Sequence, residues 1–301
     1  MKKEKVIGID IGGTKIAGII CDLRGKKIDF LQITTEAYKG KAHVIDRTIA
    51  LIAQLSGKIP TSHIKAIGIG VPGQVLKNKG IVVNPPNLPG FKRVNLKKII
   101  EKRTRIKTYI ENDANAAGLG EAKYGAGKGY SNMLYVTIST GIGGGIILDG
   151  KIYHGTDGAA GEIGHTNTGR TELTCPCGRV GCLEAYASGK GMIKLSKLIL
   201  GKTYDSITLQ KMASQGNKNA IKVINEAAKL IGIAFANYAN LINPEVIIIG
   251  GGVAKMGNIL LNPIRKYLKI YAQDVCAARV KVIPAKLGDK IGAFGAASLC
   301  I

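Results

Sequence analysis

The sequence predicts an α/β protein built as two similar halves. Apolar runs bounded by glycine alternate with amphipathic stretches of helical spacing. An apolar strand, a glycine turn and a second strand occur twice, in KVIGIDIGGTKIAGIICD (5–22) and in NMLYVTISTGIGGGIILDG (132–150). The length of 301 residues exceeds the usual single core, so two lobes are expected. A tandem repeat of short period is absent, which argues against a solenoid.

In chain order, the first motif reads as a hairpin with Gly12, Gly13 and Thr14 at its tip. HVIDRTIALIAQL carries helical periodicity, and IKAIGIGV and RIKTYIEND read as strands. Ala114 to Ala122 should be helix, followed by the second strand and glycine-turn set. NKNAIKVINEAAKLIGIAFANYANLI is a long amphipathic helix, PEVIIIGGGVA a buried strand entering a glycine turn, and DKIGAFGAASL a small-residue helix suited to close packing.

Composition excludes several classes. Hydrophobic residues make up 46% of the chain without a low-complexity tract, so long disorder is not expected. No apolar run is long enough to span a bilayer, and MKKEKVIGIDIGG is too short in its apolar part for a secretory signal, so a cytoplasmic protein without membrane partners is expected. The net charge of +23 attracts anions in general. The lysines are spread along the chain, however, and with no Trp and four Phe there is little to stack on bases, so a specific nucleic-acid partner is not expected.

GIGVPG (68–73) fits a dinucleotide fingerprint, but Pro72 and the residues after it do not open a helix and no acid follows at the ribose spacing. A GxxxxGK[ST] loop is absent too, because Gly13 is followed by Thr14 and Lys15 in the wrong order. DIGGTK and STGIGGG offer another phosphate site. Their glycines let backbone N–H groups approach phosphate oxygens, Thr14 and Thr140 add hydroxyls, and Lys15 adds charge. Either turn alone reads better as an ordinary hairpin; Asp10, placed to hold Mg²⁺ carried by phosphates, favours function. Asp113 reads alone as a helix cap, and alternatively as a general base with Asn112 beside it.

Of six cysteines, Cys21, Cys276 and Cys300 stand apart, whereas Cys175, Cys177 and Cys182 cluster with His165 in GEIGHTNTGRTELTCPCGRVGCLEA (161–185). Three thiolates and an imidazole complete a tetrahedral Zn²⁺ set and leave no open position, which points to a structural metal; the alternative is plain packing of unmetallated side chains.

Taken together, DIGGTK, ENDANAAGLGEAKYG, VTISTGIGGG, VIIIGGGVA and DKIGAFGAA resemble, in order, the phosphate, connecting, phosphate, adenosine and connecting motifs of the actin-like (ribonuclease H-like) sugar kinases. GEIGH with CPCGRVGCLE resembles the ROK family of sugar kinases and related repressors. The resemblance implies a two-lobed sugar-kinase fold with an interdomain cleft: a small lobe of 1–113 plus 289–301, and a large lobe of 114–288 with a zinc-binding loop at 165–182. It further implies Asp113 as catalytic base, with Gly73, Asn87, Asn112, Glu162, His165 and Glu184 contacting the sugar. Asp10, Gly12, Gly13, Thr14, Lys15, Thr140, Gly141, Gly143, Gly250, Gly251 and Gly252 are the implied Mg-ATP residues. Two positions depart from the family pattern: Lys77 where an acid is common, and Phe91 where Trp is common.

The implied activity is ATP-dependent phosphorylation of the glucose 6-hydroxyl. The alternatives are an N-acetylglucosamine or N-acetylmannosamine kinase and a sugar-responsive regulator. Repressors of this kind place a helix-turn-helix before the first phosphate motif, and here only MKKEKVI precedes it, which favours the kinase. A homo-oligomer, dimer or tetramer, is implied by resemblance.

Overall fold

The computed structural model describes residues 4–76 and 79–301, so Lys77 lies outside the described residues. The chain forms two compact units. The first runs to Gly129 and takes in Gly145–Ala160 and Lys286–Ile301; the second comprises Tyr130–Gly144 and Gly161–Ala285.

An antiparallel meander of β1 (Lys5–Ile11), β2 (Lys15–Asp22) and β3 (Lys27–Thr34) opens the chain. Helix α1 (Lys41–Ser56) leads to β4 (Ile64–Val71), and a small sheet follows of β5 (Gln74–Leu76), β6 (Ile81–Val83) and β7 (Val94–Asn95). Next come α2 (Leu96–Thr104), β8 (Thr108–Asn112) and α3 (Asp113–Tyr124). The second set begins with β9 (Met133–Ile138), β10 (Ile142–Leu148) and β11 (Lys151–Ile152). Four helices follow, α4 (Leu183–Ala187), α5 (Gly189–Leu200), α6 (Ser206–Ser214) and α7 (Lys218–Ile242), and then β12 (Val246–Gly250). Helices α8 (Asn258–Tyr271) and α9 (Asp274–Ala277), strand β13 (Lys281–Pro284) and helix α10 (Ile291–Ser298) complete the chain.

The two large sheets share one topology. Their orders are β3-β2-β1-β4-β8 and β11-β10-β9-β12-β13. In both, the first strand of the meander runs parallel to the fourth strand, and the fourth parallel to the fifth. The repeated strand and glycine-turn motif therefore reports a real duplication of architecture. It also brings the C-terminal ends of β1, β4 and β8 to one edge, where open α/β sheets bind ligands.

The first sheet is covered on both faces. Ile7, Ile9 and Ile11 of β1 join a large apolar cluster with α1 and α2 residues such as Leu51 and Ile100. The alternate position Val6 joins a smaller cluster of Ala17, Ala66, Ala293, Ala297 and Cys300. Cys21, solitary in sequence, belongs to this same cluster, and burial pushes both its thiol and that of Cys300 up to about 12.

Close packing of α10 explains the first glycine of the false dinucleotide fingerprint. A Cβ on Gly68 would lie 1.8 Å from the Ala296 carbonyl oxygen, and one on Gly8 would lie 2.1 Å from that of Ala293. Gly120 of α3 faces Gly295 in the same way, at 2.8 Å. These glycines serve contact between backbones, as the small-residue helix at the C-terminus requires.

Candidate active site

In the first unit, the tip between β1 and β2 is held by the Gly12 N–H donating to the Lys15 carbonyl at 2.9 Å. Buried Thr35 braces it from outside, its hydroxyl donating to the Gly12 carbonyl at 2.6 Å and its N–H to that of Thr14 at 2.9 Å. Asn87 packs on the tip, since a Cβ on Gly13 would meet the Asn87 Cβ at 2.6 Å. Thr14 and Lys15 are exposed at the turn.

Asp10 and Asp113 meet on either side of Gly70. A Cβ on Gly70 would sit 3.8 Å from Asp10 Oδ1 and 3.6 Å from the Asp113 Cα, so the absent side chain leaves the gap between them. Burial, and then the neighbouring Asp113 charge, push the Asp10 carboxyl up to about 7, while Lys15 opposes the shift. Two acids in so confined a place call for a cation or a proton. Hard carboxylate oxygens in this setting suit Mg²⁺.

The cap and the candidate base turn out to be neighbouring residues. Asn112 is the N-cap of α3, its Oδ1 accepting from the N–H groups of Ala114 and Asn115 at 2.9 and 3.1 Å. Its Nδ2 donates to the Gly73 carbonyl at 3.1 Å, which ties the β4–β5 turn to the helix. Gly73 has φ +83° and stands so close to Pro85 that a Cβ would lie 2.9 Å from its Cα; only glycine suits both conditions. Asp113, the first helical residue, places its carboxylate at the positive end of α3 and accepts the Ala114 N–H at 2.8 Å.

In the second unit, the two glycine turns lie together. Gly251 has φ +87°, and a Cβ there would meet the Ile138 carbonyl at 2.3 Å, so the turn after β12 packs on the end of β9. Gly250 stacks on the Tyr135 ring end and Gly252 lies near Ser139. Ser139 begins the other turn, its N–H donating to the Gly141 carbonyl at 2.8 Å, and Thr140 is exposed and Gly143 half-buried. Glu184 reaches the same turn: its Oε2 accepts the Ile142 N–H at 2.8 Å and fills the space beside Gly141.

The cysteine cluster is assembled as the ligand spacing predicts. The ligand atoms of His165, Cys175, Cys177 and Cys182 all lie within 4.8 Å of one another. Cys175 Sγ is 3.7 Å from His165 Nδ1, and Cys177 Sγ is 3.7 Å from Cys182 Sγ. Thiolates about 2.3 Å from a tetrahedral Zn²⁺ stand roughly 3.8 Å apart, so these side chains fit that ion. The Nε2 of His165 lies 3.8 Å from the exposed Glu162 carboxylate, and Cys175 Sγ lies 3.8 Å from Glu184 Oε1. Strand-like bridges Asn167↔Cys182 and Thr174↔Val180 pin the loop, as does the Thr166 hydroxyl at 2.6 Å from that of Tyr238.

Sequence reasoning missed two acids and a histidine. Glu111 contacts His154, and the fully buried Glu121 accepts N–H groups from Ala126, Lys286 and Leu287 at 2.6, 3.0 and 2.9 Å. Both acids sit inside the ENDANAAGLGE stretch already singled out. The chain has four histidines, so His154 was open to inspection as well.

Comparison with known proteins adds a lineage. The ROK family profile matches residues 6–301. A glucokinase of Halalkalibacterium halodurans is 36% identical over 98% of this chain and 94% of its own. A xylose repressor of Caldicellulosiruptor bescii is 31% identical over 98% of this chain and 78% of its own. The crystal structure of a ROK family glucokinase from Streptomyces griseus, in complex with glucose and AMPPNP, superposes with a TM-score of 0.81 at 33% identity, covering 98% of both chains.

Proposed function

The chain belongs to the ROK family and has its actin-like sugar-kinase fold, and from that premise we propose that it is an ATP-dependent kinase of the glucose 6-hydroxyl. The observation that carries the reading is the end-to-end likeness to a glucokinase that holds glucose and an ATP analogue. The arrangement of Asp113 supports the catalytic assignment, since it sets a carboxylate at the start of α3 beside a second acid.

In this mechanism Asp113 accepts the proton of the 6-hydroxyl as the sugar oxygen attacks the γ-phosphorus. The bond to the β–γ bridging oxygen breaks, and ADP and glucose 6-phosphate result. Asn112 holds Gly73 and the first turn of α3 in place, which orients the base. Gly73, Asn87, Asn112, Glu162, His165 and Glu184 receive the sugar hydroxyls. Backbone N–H groups and hydroxyls of Gly12, Gly13, Thr14, Thr140, Gly141 and Gly143 receive phosphate oxygens with Lys15, and Gly250, Gly251 and Gly252 line the adenosine. Asp10 is the residue to hold the Mg²⁺ that ATP carries, which neutralises phosphate charge. His165, Cys175, Cys177 and Cys182 would hold Zn²⁺, which would supply rigidity, because three thiolates and an imidazole complete its ligand set. A cytoplasmic homo-oligomer without a specific nucleic-acid partner completes the proposal.

Activity measured over a matrix of phosphoryl donors and sugars tests this reading. Glucose with ATP should be the best pair, and preference for an acetamido sugar would reassign the substrate. Asp113→Asn should fold, bind glucose and lose about 10²–10⁴-fold in kcat; near-normal turnover sinks the assignment. The likeness to the xylose repressor favours a second reading, a sugar-responsive regulator. Failure to phosphorylate any sugar, with sequence-specific DNA binding, would establish it instead.

A further inference from the structure

Directly behind the proposed catalytic turn lies a polar cluster that the mechanism leaves without a task. Glu111, at the end of β8, is 9% exposed. Its Oε1 accepts the Asn112 N–H at 2.9 Å and the Asn115 side-chain amide at 3.1 Å. Its Oε2 is 2.7 Å from Nε2 of His154, which comes from the segment after β11 in the same unit. Asn115 is 2% exposed, and its Oδ1 has no hydrogen-bond partner among the described residues. A cavity of about 270 Å³ opens onto Glu111 and His154 and is also lined by Lys97 and Tyr109.

We propose that Glu111 and His154 form a positioning pair that fixes the strand-to-helix turn carrying Asp113. The inference rests on the kinase reading above. Glu111 grips the chain on both sides of Asp113, at the backbone of Asn112 and at the side chain of Asn115. Two donors on one oxygen already oppose rotation of the carboxylate about its last torsion, and the histidine on the other oxygen adds a third restraint. In the tautomer that carries its proton on Nε2, His154 donates to this oxygen. The His154 carbonyl accepts the Ala160 N–H at 3.2 Å, so the same residue anchors the segment that continues into Glu162 and His165. Neither Glu111 nor His154 needs to touch the sugar to affect the rate, because in-line transfer is sensitive to small displacements of the base.

The test is His154→Ala, assayed for kcat and for both KM values, with Asp113→Asn in parallel. The expected result is a fall of about 10- to 100-fold in kcat with glucose and ATP KM within roughly threefold. Free imidazole, which the cavity admits to the vacated position, should restore part of kcat, and His154→Gln, which keeps an N–H donor, should lose less. In the sugar-free protein, amide hydrogen exchange at Asn112 and Asn115 should rise. A merely structural role would lower thermal stability without imidazole rescue or faster exchange at that turn. A raised KM at unchanged kcat, or unchanged kinetics, overturns the pairing. If His154→Ala does not fold, Glu111→Gln is measured with the same expectations for kcat and exchange. Loss of turnover in Asp113→Asn with full turnover in His154→Ala rejects this inference alone, whereas full turnover in Asp113→Asn rejects the assignment of Asp113 as the base, on which it rests.

Discussion

The first and second units carry the same sheet order, yet they are held together by different chemistry. In the first, Glu111 and Glu121 end inside the protein on N–H donors, and Asp10 ends beside another acid. In the second, the cysteine cluster and Glu184 do that work, and the carboxylate lies on the backbone of the glycine turn itself. The turn after β1 is braced from outside by Thr35, while Asp10 just before it is buried beside Asp113. Duplicated topology has therefore been divided into a unit that buries a pair of acids in need of a cation or proton and a unit that gathers soft side chains in one loop.

The largest effect that sharpens this contrast is loss of the staple. Cys175→Ser, or removal of zinc by a chelator, should destabilise the second unit by about 4 kcal/mol or more and lower glucose affinity with it. One zinc per chain and a melting transition sensitive to chelator are the readings to obtain. Zinc-free protein with unchanged melting would leave the cluster as ordinary packing. In the first unit the comparable loss is Glu121→Ala, which strands the N–H groups of Ala126, Lys286 and Leu287 without an acceptor. It should cost about 3 kcal/mol by urea titration and be insensitive to chelator. A cost below about 1 kcal/mol would show that water replaces the carboxylate there.

Legibility followed locality. Both hairpins, α1, α7 and α10 could be read because their glycine punctuation or apolar spacing lies within one short window. Helices α5 and α8 drew no expectation: Gly189 and Gly191 weaken the first turn of one, and Pro263 sits inside the other. Strands of two or three residues, as in β5 to β7, are too short for alternation to show. The cluster of His165, Cys175, Cys177 and Cys182 was readable since its members share one loop. The hold of Glu184 on Ile142 joins positions 42 apart, and that of Glu111 on His154 positions 43 apart; no local pattern encodes either. Asp113 was legible as a residue but not in its division of labour, because which of two adjacent polar residues caps a helix depends on where the strand ends.

The smallest effect falls on Asp10 and tests whether its buried carboxyl carries a cost. Its carboxyl is raised from 3.8 to about 7. Between those pH values the folded protein keeps a proton that the unfolded chain has released, so stability falls as pH rises from about 4 to about 7, and the full cost persists above. Asp10→Asn removes it. Measured without ATP or divalent cations, the variant should be more stable than the parent at pH 8, by on the order of 2 kcal/mol, and the gain should fade toward pH 4. Activity should be lost over the same range, since the Mg²⁺ ligand is gone. If Asp10→Asn were instead less stable at pH 8, the carboxylate would be a net structural contact, and the contrast between the two units would lie in their ligands alone.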